Sequence, residues 1–141
     1  MKNSWRPVLM ALVLALAAGA CGESAEDKAQ AKVCDARDDM AQQVDDLKGL
    51  TAATVTTDAV KKSVDAIQND LKDISDAQSD LSDDRRAQVE AANEAFAAEV
   101  KGIADQVVSS LSATDAKAAM TTALQQLQAS YQETFAPVSC E

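Results

Sequence analysis

The chain has 141 residues, of which 23 are Asp or Glu, 13 are Lys or Arg and none is His, and its formal net charge is −10. A charge of this sign repels the phosphates of nucleic acids, so we expect no DNA or RNA partner. The absence of histidine excludes Ser-His-Asp and Cys-His nucleophilic sites, His-ligated haem and the Glu-x-x-His motif of di-iron bundles.

The first 20 residues have the three parts of an export signal. Lys2 and Arg6 precede an uncharged apolar run over residues 8–20, and the small residues Ala18-Gly19-Ala20 stand immediately before Cys21. The apolar run is shorter than the roughly 17–25 residues that a membrane-spanning helix needs. This pattern therefore favours a cleaved signal peptide over a transmembrane helix.

The same segment resembles the lipobox of bacterial lipoproteins, although Ala18 occupies a place where leucine is usual. The resemblance implies that residues 1–20 are removed and that the sulfur of Cys21 carries diacylglycerol, so that residues 21–23 form a lipidated anchor and short tether. It implies an exported protein whose partner is the cell membrane. Gly22 after the lipidated cysteine implies the outer membrane if the host is Gram-negative.

Residues 24–141 are the expected folded domain, which opens with a helix. Ser24 and Asp27 have the spacing of a capping box, and Gly49 is suited to end the helix. Apolar residues follow at helical steps of three and four: Ala29, Val33, Ala36, Met40, Val44 and Leu47. Because only two residues separate Cys21 from Ser24, we expect the domain to stand close to the membrane.

The second predicted helix follows a Thr-rich loop over residues 51–57. Its apolar residues alternate at steps of four and three, which is a heptad seam: Val60, Val64, Ile67, Leu71, Ile74, then Gln78 and Leu81. Burial within one bundle is the simplest role for this seam, and self-association is the alternative. Residues 79–82 are expected to break the helix, with the Ser82 side chain capping the next one.

Two further helices complete the prediction. The third has the apolar stripe Val89, Ala92, Phe96, Val100, Ile103, Val107 and Leu111. A turn follows over residues 109–114, where Ser112 and Asp115 have the spacing of another capping box. The fourth has the stripe Ala116, Met120, Leu124, Leu127, Tyr131 and Phe135. Pro137 is expected to end it.

Four narrow stripes joined by short connections predict an all-α fold, an up-down-up-down four-helix bundle. The alternative is a three-helix antiparallel coiled-coil bundle in which residues 57–111 form one long rod. The four-helix arrangement brings the start of the first helix and the end of the fourth to one end of the molecule. It therefore brings Cys34 close to Cys140.

The two cysteines other than Cys21 predict a disulfide. In an exported protein, Cys34 and Cys140 most simply pair with each other, and the segment after Pro137 is then expected to fold back along the first helix. Free or catalytic thiols are the alternative, but the Cys-x-x-Cys spacing of a redox dithiol is absent.

An acidic run around the second turn is the best candidate for a cation site: Asp76, Asp80, Asp83 and Asp84. It lacks the Asp-x-Asp-x-Asp-Gly order of a calcium loop, so a solvated acidic surface is the simpler interpretation and no metal is expected. The sequence thus predicts a non-catalytic interaction or structural module in the cell envelope, with no cofactor and an unidentified protein partner. A cation- or small-ligand-binding lipoprotein for uptake or sensing is the alternative.

Overall fold

The computed structural model describes residues 22–111 and 113–140. Within these ranges the chain forms four α-helices: α1 (Ala25–Lys48), α2 (Thr57–Ala77), α3 (Asp83–Ser110) and α4 (Thr114–Phe135). A 3₁₀ turn, Gln78–Asp80, lies between α2 and α3. Each helix packs against the next along the chain, and α4 closes the ring by packing against α1. The predicted all-α four-helix bundle is therefore confirmed.

The helix α1 begins and ends where its sequence predicts. The backbone N–H of Asp27 donates to Ser24 Oγ at 3.1 Å, and the carboxylate of Asp27 accepts from the backbone N–H of Ser24 at 3.1 Å. The hydrogen bond from the Ser24 hydroxyl, joined by the one from its backbone N–H, lowers the pKa of Asp27. Gly49 caps the other end, where its N–H donates to the carbonyl of Asp45 at 3.0 Å.

The predicted apolar stripes meet in one core. All six residues of the α1 stripe are buried, and so are the five residues that α2 contributes to the heptad seam. The seam therefore packs inside the bundle, whereas Gln78 at its end is half-buried. Val55, from the connection between α1 and α2, is also completely buried in this core.

The break after α2 rules out one rod over residues 57–111, but its cap differs from the prediction. Ser82 is the N-cap residue of α3, yet its side chain makes no capping hydrogen bond. Its backbone N–H donates instead to Glu26 Oε1 at 3.3 Å, which ties the start of α3 to the first turn of α1. The prediction of a side-chain cap at Ser82 is therefore wrong.

The start of α4 also differs from the predicted capping box. The helix begins at Thr114 with Ala113 as its N-cap, a residue whose methyl side chain accepts no hydrogen bond. This start is one residue later than a box between Ser112 and Asp115 requires, and Ser112 itself lies outside the described residues. The predicted end is confirmed, because α4 stops at Phe135 and Pro137 follows its cap.

Candidate functional site

The predicted lipidation site, Cys21, lies outside the described residues, but the structure describes the chain from the next residue onward. Gly22 and Glu23 are exposed, and Ser24 already caps α1. Position 21 is therefore joined to the bundle by only two residues, as the sequence predicts. None of the helices in the described ranges has both the length and the apolarity that crossing a bilayer requires.

Three parts of the chain meet at the end of the bundle where α1 begins. They are the first turns of α1, the region from the Gln78–Asp80 turn to the start of α3, and residues 136–140; we call this end the proximal end. Here Arg85 of α3 donates a hydrogen bond to Gln30 of α1. Together with the contact between Ser82 and Glu26, it holds the start of α3 against α1.

The C-terminal segment of the proximal end is joined covalently to α1. Cys34 and Cys140 form a disulfide, and their Cα atoms are 5.7 Å apart. Since α4 ends at Phe135, residues 136–140 turn back and follow α1 for about one helical turn. The predicted disulfide and the predicted return of the chain are both confirmed.

Two hydrogen bonds and one buried side chain reinforce this attachment. The side chain of Val138 is buried, and its carbonyl accepts from Arg37 Nη1 at 3.1 Å. The hydroxyl of Tyr131 donates to the carbonyl of Arg37 at 2.6 Å. Burial raises the pKa of Tyr131 from 10.0 to about 12, so this hydroxyl keeps its proton and remains a donor at basic pH as well as at neutral pH.

The acidic residues predicted as a cation site are not assembled into one. The carboxylate of Asp76 is 2.5 Å from Lys72 Nζ, one turn earlier on α2, and the carboxylate of Asp83 pairs with Arg86 on α3. Within residues 22–111 and 113–140, no three His, Cys, Asp or Glu side chains are arranged to hold a metal ion. All members of the predicted set are exposed: Asp76, Asp80, Asp83 and Asp84.

A larger acidic feature, the groove between α1 and α2, escaped the sequence analysis. It encloses about 430 Å³, and Lys32 is the basic residue among those that line it. Its acidic lining combines two residues of α1 with three of α2: Asp35, Asp39, Asp70, Asp73 and Asp76. The spacings of three and four within each helix place these carboxylates on one face, which is the signal that was available. Which face of α1 meets which face of α2 is decided by packing.

Among the carboxyl groups that line this groove, that of Asp70 has a raised pKa. Its side chain is half-buried, and desolvation raises its pKa from 3.8 to about 6, with further contributions from the charges of Asp39 and Asp73. Because the folded state binds this proton more tightly than the unfolded chain, protonation of Asp70 stabilises the fold. This stabilisation is fully present below pH 3.8 and is lost as the pH rises through about 6.

We expect Asp70→Asn to raise the melting temperature at pH 7 by roughly 2–5 °C, the range for about 1 kcal/mol in a domain of this size. It should also reduce the rise in melting temperature that the unsubstituted protein shows between pH 7 and pH 5. Thermal unfolding followed by circular dichroism at several pH values measures both effects. Asp65→Asn, at an exposed position of the same helix, is the matched control. Equal pH profiles for Asp70→Asn and the unsubstituted protein would contradict the assignment.

The described part of the chain therefore presents two sites with distinct chemistry. At the proximal end a disulfide fastens residues 136–140 to α1, and between α1 and α2 an acidic groove places like charges against one another. No family model matches the chain, and neither does any curated protein or solved structure with which it was compared.

Proposed function

We propose that the protein is a bacterial lipoprotein, exported and attached to the membrane through lipid on Cys21, whose folded domain is a non-catalytic interaction or structural module of the cell envelope. The observation that carries the proposal is the sequence Ala18-Gly19-Ala20-Cys21 after a positively charged start and an apolar run. The position of α1 supports it. Because Ser24 caps α1, only Gly22 and Glu23 separate Cys21 from the first helix, and this short spacing suits an anchor beside a folded domain.

The charge of the domain supports attachment by lipid. Residues 1–20 contain Lys2 and Arg6 and no acidic residue, so their removal makes the remaining chain more negative than the whole. A strongly acidic domain is repelled by anionic lipid headgroups, which attract clusters of Lys and Arg. The acyl chains therefore supply the membrane affinity, and two of them are sufficient for stable attachment.

A non-catalytic role is supported by the residue types available for chemistry. The chain contains no histidine, and two of its three cysteines lie in the disulfide. The aromatic side chains of the bundle, Phe96, Tyr131 and Phe135, pack against one another in the core. What the domain offers to its surroundings is thus an acidic helical surface.

The alternative function, binding a cation or small ligand for uptake or sensing, needs a place other than the predicted acidic run. The groove between α1 and α2 is the observation in its favour, because carboxylates from both helices line one cavity. Thermal unfolding with and without millimolar calcium distinguishes the two functions. An unchanged melting temperature removes the calcium version of the alternative.

Substitution of Cys21 tests the anchor. We expect Cys21→Ser to abolish metabolic labelling of the protein with palmitate, because the serine hydroxyl cannot form the thioether to diacylglycerol. The far-UV circular dichroism of the folded domain should be unchanged. The double variant Cys34→Ser/Cys140→Ser is the matched control and should keep the label. Undiminished labelling of Cys21→Ser would overturn the lipoprotein proposal.

The interaction role is tested by crosslinking in intact envelopes. An interaction module is expected to crosslink reproducibly to the same envelope protein, identified by mass spectrometry. Acidic-to-neutral substitutions on the outer faces of α1 and α2 should reduce that crosslink if the acidic surface makes the contact. Crosslinks distributed over abundant proteins in proportion to their amounts would favour a structural role instead.

A further inference from the structure

Val138 and Ser139 of the C-terminal segment form part of the wall of a pocket at the proximal end of the bundle. The pocket has a volume of about 230 Å³, and its lining includes Val33 of α1, Leu81 and Val89 on the α3 side, and Val138. All four of these apolar side chains are buried. Val138 thus completes an apolar surface that the helices alone leave open.

We propose that residues 136–140 are a redox-controlled latch, which the Cys34–Cys140 disulfide holds closed over this pocket and which reduction releases. Release removes the wall that Val138 contributes and uncovers Val33, Leu81 and Val89. The apolar part of the pocket, which is bordered by the polar side chains of Gln30, Arg85 and Gln88, is then exposed next to the start of α1.

The first argument is access to the disulfide. Cys34 and Cys140 are both partly exposed. A crevice of about 400 Å³ runs beside the bond and is lined by Arg37, Pro137 and Cys140. The bond is therefore accessible to a small dithiol from the surface of the bundle.

The chemistry is exchange with a dithiol reductant. One thiolate of the dithiol attacks a sulfur of the Cys34–Cys140 bond, forms a mixed disulfide and releases the other cysteine as a thiolate. The second thiol of the reductant, as its thiolate, then attacks the mixed disulfide. This step releases the remaining cysteine of the protein as a thiolate and closes a disulfide within the reductant. Two electrons pass from the dithiol to the protein, and its two thiol protons end on Cys34 and Cys140.

The second argument is the small number of contacts that remain once the bond is broken. The described contacts of residues 136–140 with α1 and the core are then the buried side chain of Val138 and the hydrogen bond from Arg37 to its carbonyl. Two backbone hydrogen bonds join the segment to the end of α4: the N–H of Ala136 donates to the carbonyl of Gln132, and the N–H of Val138 donates to that of Phe135. The other buried core residues lie on the four helices or in the connections between them. Segments with few buried contacts open locally while the rest of a protein stays folded. Reduction should therefore free the latch and leave the bundle intact.

Backbone dynamics of the full chain in detergent micelles test the latch. We expect the NMR order parameters of Val138 and Ser139 to be those of rigid backbone, about 0.85, in the oxidised protein and to fall below about 0.6 when dithiothreitol is added. Helical residues of α1–α4 should keep their order parameters and the far-UV circular dichroism should be unchanged. Fluorescence of an apolar dye should rise as the pocket opens.

Variants distinguish release of the latch from general destabilisation. Cys34→Ser/Cys140→Ser should show the mobile segment without reductant and should not respond to dithiothreitol. Two results would overturn the proposal: order parameters at Val138 and Ser139 that stay at helical values after reduction, or loss of helical circular dichroism together with the release. Val138→Ala in the oxidised protein should raise dye binding without mobilising the segment. This variant therefore distinguishes the contribution of the Val138 side chain to the pocket from that of the disulfide.

Discussion

The variant Cys140→Ser is expected to have a free energy of unfolding about 4–5 kcal/mol lower than that of the unsubstituted protein. The disulfide joins positions separated by 106 residues, so it restricts almost the whole of the unfolded chain. In the chain-entropy account, closing so large a loop removes many conformations from the unfolded state and few from the folded one. Urea unfolding followed by circular dichroism measures the loss.

The control for this variant is the reduced protein. Dithiothreitol should bring the unsubstituted protein to the stability of Cys140→Ser and should leave the variant itself unchanged. Cys34→Ser should match Cys140→Ser, since either substitution removes the same bond. If the oxidised and reduced proteins unfold at the same urea concentration, the bond contributes nothing to the fold and the chain-entropy account fails here.

The second large effect is expected from Phe96→Ala, which should lower the free energy of unfolding by about 3–5 kcal/mol. Phe96 is completely buried, and its ring lies edge-on to those of Tyr131 and Phe135, with centroids 5.4 and 5.8 Å away. Truncation to alanine removes both aromatic contacts and leaves a cavity between α3 and α4. The midpoint of urea unfolding reports the change.

Two smaller substitutions calibrate this result. Tyr131→Phe removes the hydrogen bond to the carbonyl of Arg37 and should cost about 1 kcal/mol, because the ring and its packing remain. Gln125→Ala, at an exposed position of α4, should change stability by less than about 0.5 kcal/mol. A loss for Phe96→Ala no larger than that for Tyr131→Phe would contradict the aromatic core.

The sequence predicts the helices well because each helix has its own local spacing of apolar residues. The steps of three and four in α1 and α2 mark the residues that become buried, and the Ser24–Asp27 spacing marks a cap that forms. The pairing of Cys34 with Cys140 agrees with the up-down-up-down topology, which brings the start of α1 and the end of α4 to the same end of the bundle. The helices and the cap are predicted from residues a few positions apart. The disulfide is predicted from the number of cysteines and from the export signal.

Features that depend on contacts between segments were missed or placed wrongly. Val55 lies in a Thr-rich connection without periodicity, so nothing local marks it as a core residue. The Ser82 side chain makes no capping hydrogen bond, and its backbone N–H binds Glu26, a residue of α1 that is distant in the sequence. The acidic groove arises where two solvated faces meet, and neither helix alone indicates it.

The up-down path of the chain has a practical consequence for engineering. Residues 22 and 140 lie toward the same end of the bundle, and the described residues at the opposite end are the connection over residues 49–56, the end of α3 and the start of α4. The longest helix, α3, has 28 residues and therefore spans about 42 Å. An epitope inserted beside the exposed Thr51 would lie just beyond the end of α1, which has 24 residues and is about 36 Å long, so it would stand roughly that far from residue 22 and from the proposed anchor at residue 21.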